Sequence, residues 1–207
     1  MSGKFELHQA AEADFPTEYG QFRIFGFEGR TTSDTGTAVE EAVVITMGDV
    51  ANGPPPVLRI HSQCLTGDVF HSLRCDCRAQ LEIALERIAV EGRGLVVYEM
   101  QEGRGIGIMN KLRAYQLQDQ GADTVEANEQ LGFESDLRDY ALPGAILLSL
   151  GIRSVRLLSN NPDKVHALEQ AGVEVAERLP CVAAPVESRR GYLETKRDKM
   201  GHLFDLS

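Results

Sequence analysis

No stretch of this sequence is apolar for long enough to cross a bilayer, and the opening Met-Ser-Gly-Lys-Phe-Glu-Leu-His is not a secretory signal. A cytoplasmic protein with no membrane partner is expected, in a reducing compartment where cysteines bind metal or act chemically rather than form disulfides. Positive charge is also short: 21 Lys and Arg against 31 Asp and Glu leave a formal net charge of −10. Such a surface repels polyanions, which argues against nucleic acid as a partner. A small phosphorylated ligand could still bind where several cations converge, so the placing of arginines is informative. Repeats, low-complexity tracts and linkers are missing too. Residues 1–207 are therefore expected to form one domain, with 1–14 and 202–207 as flexible tails. What remains, 43% apolar and 25% charged residues, is ordinary for a globular chain.

Cysteine is scarce, at four residues, but three of them fall in one stretch from Arg59 to Gln80. Cys64, Cys75 and Cys77 are spaced Cys, ten residues, Cys, one residue, Cys. Three thiolates fill three corners of a zinc tetrahedron and leave the fourth for water, whose pKa the ion lowers to roughly 7. His61, His71 or Asp76 could instead close that corner and make the metal structural, or the three could be plain buried thiols. Structural zinc sites usually carry a pair of cysteines with two to four residues between them, and that pair is absent here. Cys181, far along the chain beside Pro180, reads as a small apolar filler.

Periodicity places these residues. Gln21–Phe27 alternates as a half-buried strand, Glu28–Glu41 reads as a polar, Thr-rich loop, and Ala42–Met47 as a buried strand. Asn52–Pro56 marks a turn before the strand Val57–Ile60. Strands without intervening helices suggest a largely antiparallel sheet in the first third. Leu81, Ala84, Leu85, Ile88 and Ala89 recur at helical spacing, and Leu95–Tyr98 is a buried strand. Gln101-Glu102-Gly103-Arg104-Gly105-Ile106-Gly107 then leads into a helix carrying Ile108, Leu112 and Tyr115. Strand, glycine-rich turn and helix is a common way to face phosphate, although this turn is neither the dinucleotide fingerprint nor a Walker loop. Asp123–Glu129 reads as irregular. Asp136 and Arg138, two apart, share a face only if extended, and their spacing alone suggests a solvated charged turn. Tyr140–Leu150 is an apolar helix and Val155–Leu158 a strand. Asn161 and Pro162 cap a helix that stops at Gly172, before a strand Val173–Val175. Arg189–Met200 reads as a charged helix. The class is α/β (α+β mixed): an antiparallel N-terminal sheet followed by βα units.

Several ordered blocks resemble GTP cyclohydrolase II: His61-Ser62-Gln63-Cys64-Leu65-Thr66-Gly67-Asp68, Leu73-Arg74-Cys75-Asp76-Cys77, Gln101 to Gly107, Asn110 to Tyr115, Asp123 to Asn128 and Leu158 to Pro162. The resemblance spans about Phe15 to Gly201. It implies an enzyme of riboflavin biosynthesis that opens the imidazole ring of GTP and releases formate and pyrophosphate. It implies one zinc on Cys64, Cys75 and Cys77, magnesium on the substrate phosphates, and a homodimer. It also implies Asp136 as base, Arg138 as nucleophile toward the α-phosphate and Tyr115 as a group that orients or protonates the opening ring. An arginine nucleophile needs a nearby carboxylate to take a proton, because the guanidinium has no free lone pair. GTP contacts carried over by the same resemblance are Arg59, Ile60, His61, Ser62, Gln63, Gln80, Glu102, Gly103, Arg104, Thr124, Ser159 and Lys164. Glu102 is the candidate acceptor for the guanine N–H donors. The chain departs from the family pattern at Gln63, His71, Arg78, Met100 and Ser159. These departures leave open a paralogue that performs part of the reaction, or a non-catalytic nucleotide-binding regulator.

Overall fold

In the computed structural model, which describes residues 4–34, 36–134, 136–183, 201 and 203, the apolar runs become strands of one mixed sheet. The strands are β1 (Lys4–Thr17), β2 (Gly20–Ser33), β3 (Gly36–Met47), β4 (Val57–Ser62), β5 (Gly94–Glu99), β6 (Ser154–Leu158) and β7 (Glu174–Leu179). They lie in the order β1-β2-β3-β5-β4-β6-β7. Pairing is antiparallel from β1 through β3 to β5, and parallel among β5, β4, β6 and β7. This is the expected α/β class, with the antiparallel part first.

Side chains of the central strands alternate between two helical layers. On one face, Val57 and Val96 pack with Phe22 against Ala84 and Ile88 of α2 (Cys77–Glu91). On the other, Leu58, Ile60, Val44 and Val97 meet Ile146 and Leu147 of α5 (Ala141–Ser149) and Leu168 of α6 (Pro162–Gln170). The remaining elements are a helical turn α1 (Leu65–Asp68) between β4 and α2, and a 3-10 turn Glu102–Gly105, α3 (Gly107–Asp119) and α4 (Thr124–Gln130) between β5 and α5. Gly92 ends α2 in the left-handed conformation, and the Asn161 side chain caps α6 with Pro162 in its first turn, both as read from the sequence.

Four expectations are corrected. β4 is not part of the antiparallel sheet: its partners β5 and β6 both run parallel to it. Val57 to His61 are buried on both faces, which suits a central strand covered by helices rather than a hairpin strand with one wet face. Residues 28–41 are not a loop, because β2 and β3 continue as a ladder to Ser33 and Gly36, with side chains exposed beyond Gly29. Residues 4–14 are not a flexible tail but most of β1, paired along β2 with one register shift at Gln9/Ala11. Residues 124–130 are helical, started by a capping box between Asp123 and Glu126. The charged helix expected over Arg189–Met200 lies outside the described residues. Of the expected 202–207 tail only Leu203 is described, and its N–H donates to Asn160 O at 2.9 Å.

Strand β4 reaches β5 through α2 on one side and borders β6 on the other. In open sheets the crevice beyond the carboxyl end of such a strand is where ligands bind. The chain leaving β4 there is Ser62-Gln63-Cys64.

Candidate active site

The carboxyl ends of β4, β5 and β6 open into a cleft of about 1060 Å³ of empty space. Its wall holds three cysteines and six cations, Arg59, Arg74, Arg104, Lys111, Arg138 and Lys164, in a chain whose net charge is −10. Here is the local convergence that an acidic protein needs to hold a polyanion.

Cys64 follows β4, Cys75 precedes α2, and Cys77 is the first residue of α2. None is in a disulfide. Their sulfurs lie within 4.8 Å of one another, with Cys64 and Cys75 Sγ 3.6 Å apart. Sulfurs bound about 2.3 Å from a shared tetrahedral ion sit about 3.8 Å apart, so the spacing fits a metal. Gly67 makes room for it: a Cβ there would lie 2.8 Å from Cys75 Sγ and 3.1 Å from Cys64 Sγ. Electrostatics point the same way. Hydrogen bonds from the Cys75 and Cys77 thiols, aided by Lys111, hold Cys64 far below its usual range. Those same contacts with Cys64, together with burial, push Cys75 and Cys77 up. One thiolate is stable there alone; three need a cation among them. Among the described residues the cluster contains the three cysteines and no other ligand type.

The residues that could have closed a fourth corner are engaged elsewhere or lie outside the cluster. His61 is buried, and its Nε2 lies 3.2 Å from Asp68 Oδ1 with its ring stacked on Tyr98. Burial holds that imidazole below its ordinary pKa, hence neutral. Asp68 also accepts from the Cys64 N–H at 3.0 Å and the Tyr98 O–H at 2.7 Å, which fixes the turn carrying Cys64. Asp76 accepts from Gln80 Nε2 at 2.5 Å, while Gln80 Oε1 accepts from Arg59 at 2.5 Å. His71 lies on the exposed loop beyond α1 in a left-handed conformation.

Opposite the thiols, Lys111 of α3 donates to Cys64 Sγ at 3.1 Å and to Glu102 Oε1 at 2.8 Å. Burial opposes its charge, but Cys64 and Glu102 outweigh burial and raise its pKa. Glu102 further accepts from the Gly103 N–H at 2.8 Å and, through Oε2, from the Leu65 N–H at 2.7 Å. Its carboxylate, with about four acceptor positions, thus spends three on Lys111, Gly103 and the turn that follows Cys64. Tyr115, one turn after Lys111, shares a hydrogen bond with Thr66 Oγ1 at 3.1 Å, and Thr66 Oγ1 lies 3.7 Å from Cys64 Sγ. Burial raises the phenol, so it stays protonated at neutral pH.

Asp136 and Arg138 are paired and half-buried, not a solvated turn. Arg138 donates from Nε to Asp136 Oδ1 at 2.8 Å and from a terminal nitrogen to Oδ2. Burial opposes the Asp136 charge, and the Arg138 hydrogen bonds overcome it, holding the carboxyl below the usual range. Arg138 reaches Ser62 Oγ at 3.4 Å, and both Arg138 and Lys164 lie over the Tyr140 ring. The 3-10 turn is tied to this segment, since Leu137 N–H donates to Arg104 O at 3.0 Å. Gly103 and Arg104 both take positive φ, at 63° and 61°.

Of the residues singled out from the sequence, Arg59, His61, Ser62, Gln63, Cys64, Cys75, Cys77, Gln80, Glu102, Gly103, Arg104, Tyr115, Thr124, Arg138, Ser159 and Lys164 line this cleft. Ile60 does not, being core, although its carbonyl accepts from Lys164 Nζ at 2.8 Å. Asp136 stands behind Arg138. Sequence reasoning missed Lys111, Asp68 and Arg74. Lys111 was within reach, because it lies four before Tyr115 and so shares its helical face. Asp68 carried no such signal: its partners are separated from it by up to 30 residues.

Comparison with known proteins gives a family match and close relatives. A family described as GTP cyclohydrolase II matches residues 8–180. The chain is 52% identical over 201 residues to a riboflavin biosynthesis protein RibBA of Chlorobium phaeovibrioides, covering 97% of this chain and 48% of that protein. It is 50% identical over 199 residues to a GTP cyclohydrolase-2 of Yersinia pseudotuberculosis, covering 96% and 98%. It is 49% identical over 200 residues to a GTP cyclohydrolase-2 of Escherichia coli, covering 97% and 99%. The chain therefore spans about half the length of its RibBA relatives and nearly all of its GTP cyclohydrolase-2 relatives.

Proposed function

Because this chain belongs to the GTP cyclohydrolase II family, we propose that it opens the imidazole ring of GTP in riboflavin biosynthesis, releasing formate and pyrophosphate and leaving 2,5-diamino-6-ribosylamino-4(3H)-pyrimidinone 5′-phosphate. One observation carries the reading: three clustered thiols with metal spacing, Cys64 and Cys75 buried and Cys77 half-buried, open onto the cation-lined cleft at the end of β4. Cys64, Cys75 and Cys77 would hold zinc, whose Lewis acidity would activate water for attack on C8. Magnesium accompanies the phosphates, and the enzyme works as a homodimer in the cytoplasm.

The chain's own groups divide the work. Arg59, Arg104, Arg138 and Lys164 bind the triphosphate, with the backbone of residues 60–63 and the side chains of Gln80, Thr124 and Ser159 completing the cradle. Asp136 orients the Arg138 guanidinium and receives its proton as Arg138 attacks the α-phosphorus and pyrophosphate leaves. Water then cleaves the N–P bond, the nucleotide keeps the oxygen as its 5′-phosphate, and the proton returns from Asp136 to Arg138. Tyr115, protonated at neutral pH, gives its proton to the ring nitrogen as the imidazole opens. Lys111 holds Cys64 and Glu102 together. Glu102, through Gly103, sets the turn against which the base lies, and its remaining acceptor position is offered to the guanine N–H groups.

Incubation with GTP and magnesium, with formate and pyrophosphate assayed separately, tests the reading. Both products are expected. Pyrophosphate alone or formate alone would indicate a paralogue that runs half of the reaction, and neither product would indicate a nucleotide-binding module without catalysis.

A further inference from the structure

Glu99 plays no part in the chemistry described so far, yet it is a carboxylate with no exposed surface. It ends β5 on the face where Leu95 and Val97 are core, so an apolar row closes on an acid. Its Oε2 accepts from Ser62 Oγ at 3.4 Å and its Oε1 from Gln101 Nε2 at 3.3 Å. Both partners line the cleft and both hold the Arg138 segment. Ser62 Oγ accepts from Arg138 at 3.4 Å, while Gln101 donates to Asp139 O at 2.7 Å and accepts from Asp139 N–H at 3.1 Å. Glu99 is thus one layer behind the wall that presents Arg138.

The charged groups facing it are Lys164 of α6, Arg138 before α5, and Glu40 of β3, two positions from the Ala42 that pairs with Glu99. The Tyr140 phenol, its pKa raised by burial, faces it as well. Burial outweighs the two cations and the Ser62 hydrogen bond and pushes the carboxyl up to about 7. We propose that Glu99 is a positioning residue that is ionised in the free enzyme, where it steadies Ser62, Arg138 and Lys164, and takes up one solvent proton when the polyphosphate enters. The inference rests on the proposed placing of the phosphates against Arg138 and Lys164. New negative charge there favours the neutral carboxylic acid, and protonation leaves both cations to the phosphates. By linkage, the Glu99 contribution to affinity falls as pH rises through and above about 7, by at most tenfold per pH unit for one proton.

Calorimetric titration of the metal-loaded enzyme with a non-hydrolysable GTP analogue, in buffers of different ionisation enthalpy, counts protons. Glu99→Gln keeps the size and the acceptor for Ser62, and comparison with it cancels the proton that the analogue itself releases. At about pH 7.5 the wild-type enzyme is expected to take up roughly half to one proton per chain more than Glu99→Gln. Equal counts, or an affinity loss in the variant that is uniform with pH, would overturn the proposal and leave Glu99 a structural residue. Failure of both folded proteins to bind the analogue would bring down the functional reading and this inference with it. Should Glu99→Gln not fold, isotope-edited NMR of the wild-type glutamate carboxyls decides. A midpoint near about 7 that rises with the analogue supports the proposal, and midpoints all below about 5, or unmoved, refute it.

Discussion

Replacing Gly67 by Ala separates two physical effects of opposite sign. Gly67 lies in the α1 turn, and its φ is outside the left-handed region, so Ala meets no backbone strain there. Helix propensity alone predicts a gain of about 1 kcal/mol. Sterics predict the reverse. The added methyl would lie 2.8 Å from Cys75 Sγ and 3.1 Å from both Cys64 Sγ and Cys77 Cβ, where ordinary contact begins at 3.4 Å. Cys75 Sγ would have to retreat by about 0.6 Å, roughly three times the tolerance of a metal site, whose ligand distances hold within roughly 0.2 Å. Overpacking of this kind costs about 1–3 kcal/mol. Because the strain falls on the three ligands, we expect it to appear as metal affinity weakened by roughly 5- to 150-fold, with the apo-protein's thermal midpoint little changed. Competition for zinc against a chromophoric chelator measures the first quantity and a metal-free melt the second. Wild-type affinity in Gly67→Ala would mean that the thiols do not share an ion at this place.

Three further outcomes are expected. Arg138→Lys keeps a charge but loses the paired contact with Asp136, so pyrophosphate release should fall by about 10²-fold or more while analogue affinity changes only several-fold; an unaltered release rate would assign Arg138 to binding alone. Asp68→Asn exchanges an acceptor for a donor among His61, Tyr98 and the Cys64 N–H and should cost about 1–3 kcal/mol in urea unfolding, and an unshifted midpoint would show that this network does not set the turn. Chelation should abolish formate release with the far-UV circular dichroism largely kept, because the two apolar layers hold the sheet without the ion; unfolding on chelation would instead make the metal structural.

Local pattern carried the parts of this protein that local energetics decide. Cysteine spacing singled out the three thiols that cluster, the 3.6-residue recurrence from Leu81 to Ala89 marked α2, and Asn161-Pro162 marked the start of α6, since caps and amphipathic faces are written within a few residues. Tertiary structure decided what depends on partners far along the chain. Nothing near Val57 says that its neighbours are β5 and β6, and only burial on both faces makes the parallel arrangement favourable. Residues 28–41 look like loop because they are polar and, beyond Gly29, exposed on both faces, yet the backbone ladder continues through them. Asp136 and Arg138 look solvated until Ser62 and Tyr140 close over them, and Glu99 looks like a surface acid until the core row of β5 encloses it. A side chain's chemistry is fixed by residue type, but its charge state and its reach follow from burial and from contacts tens of residues away.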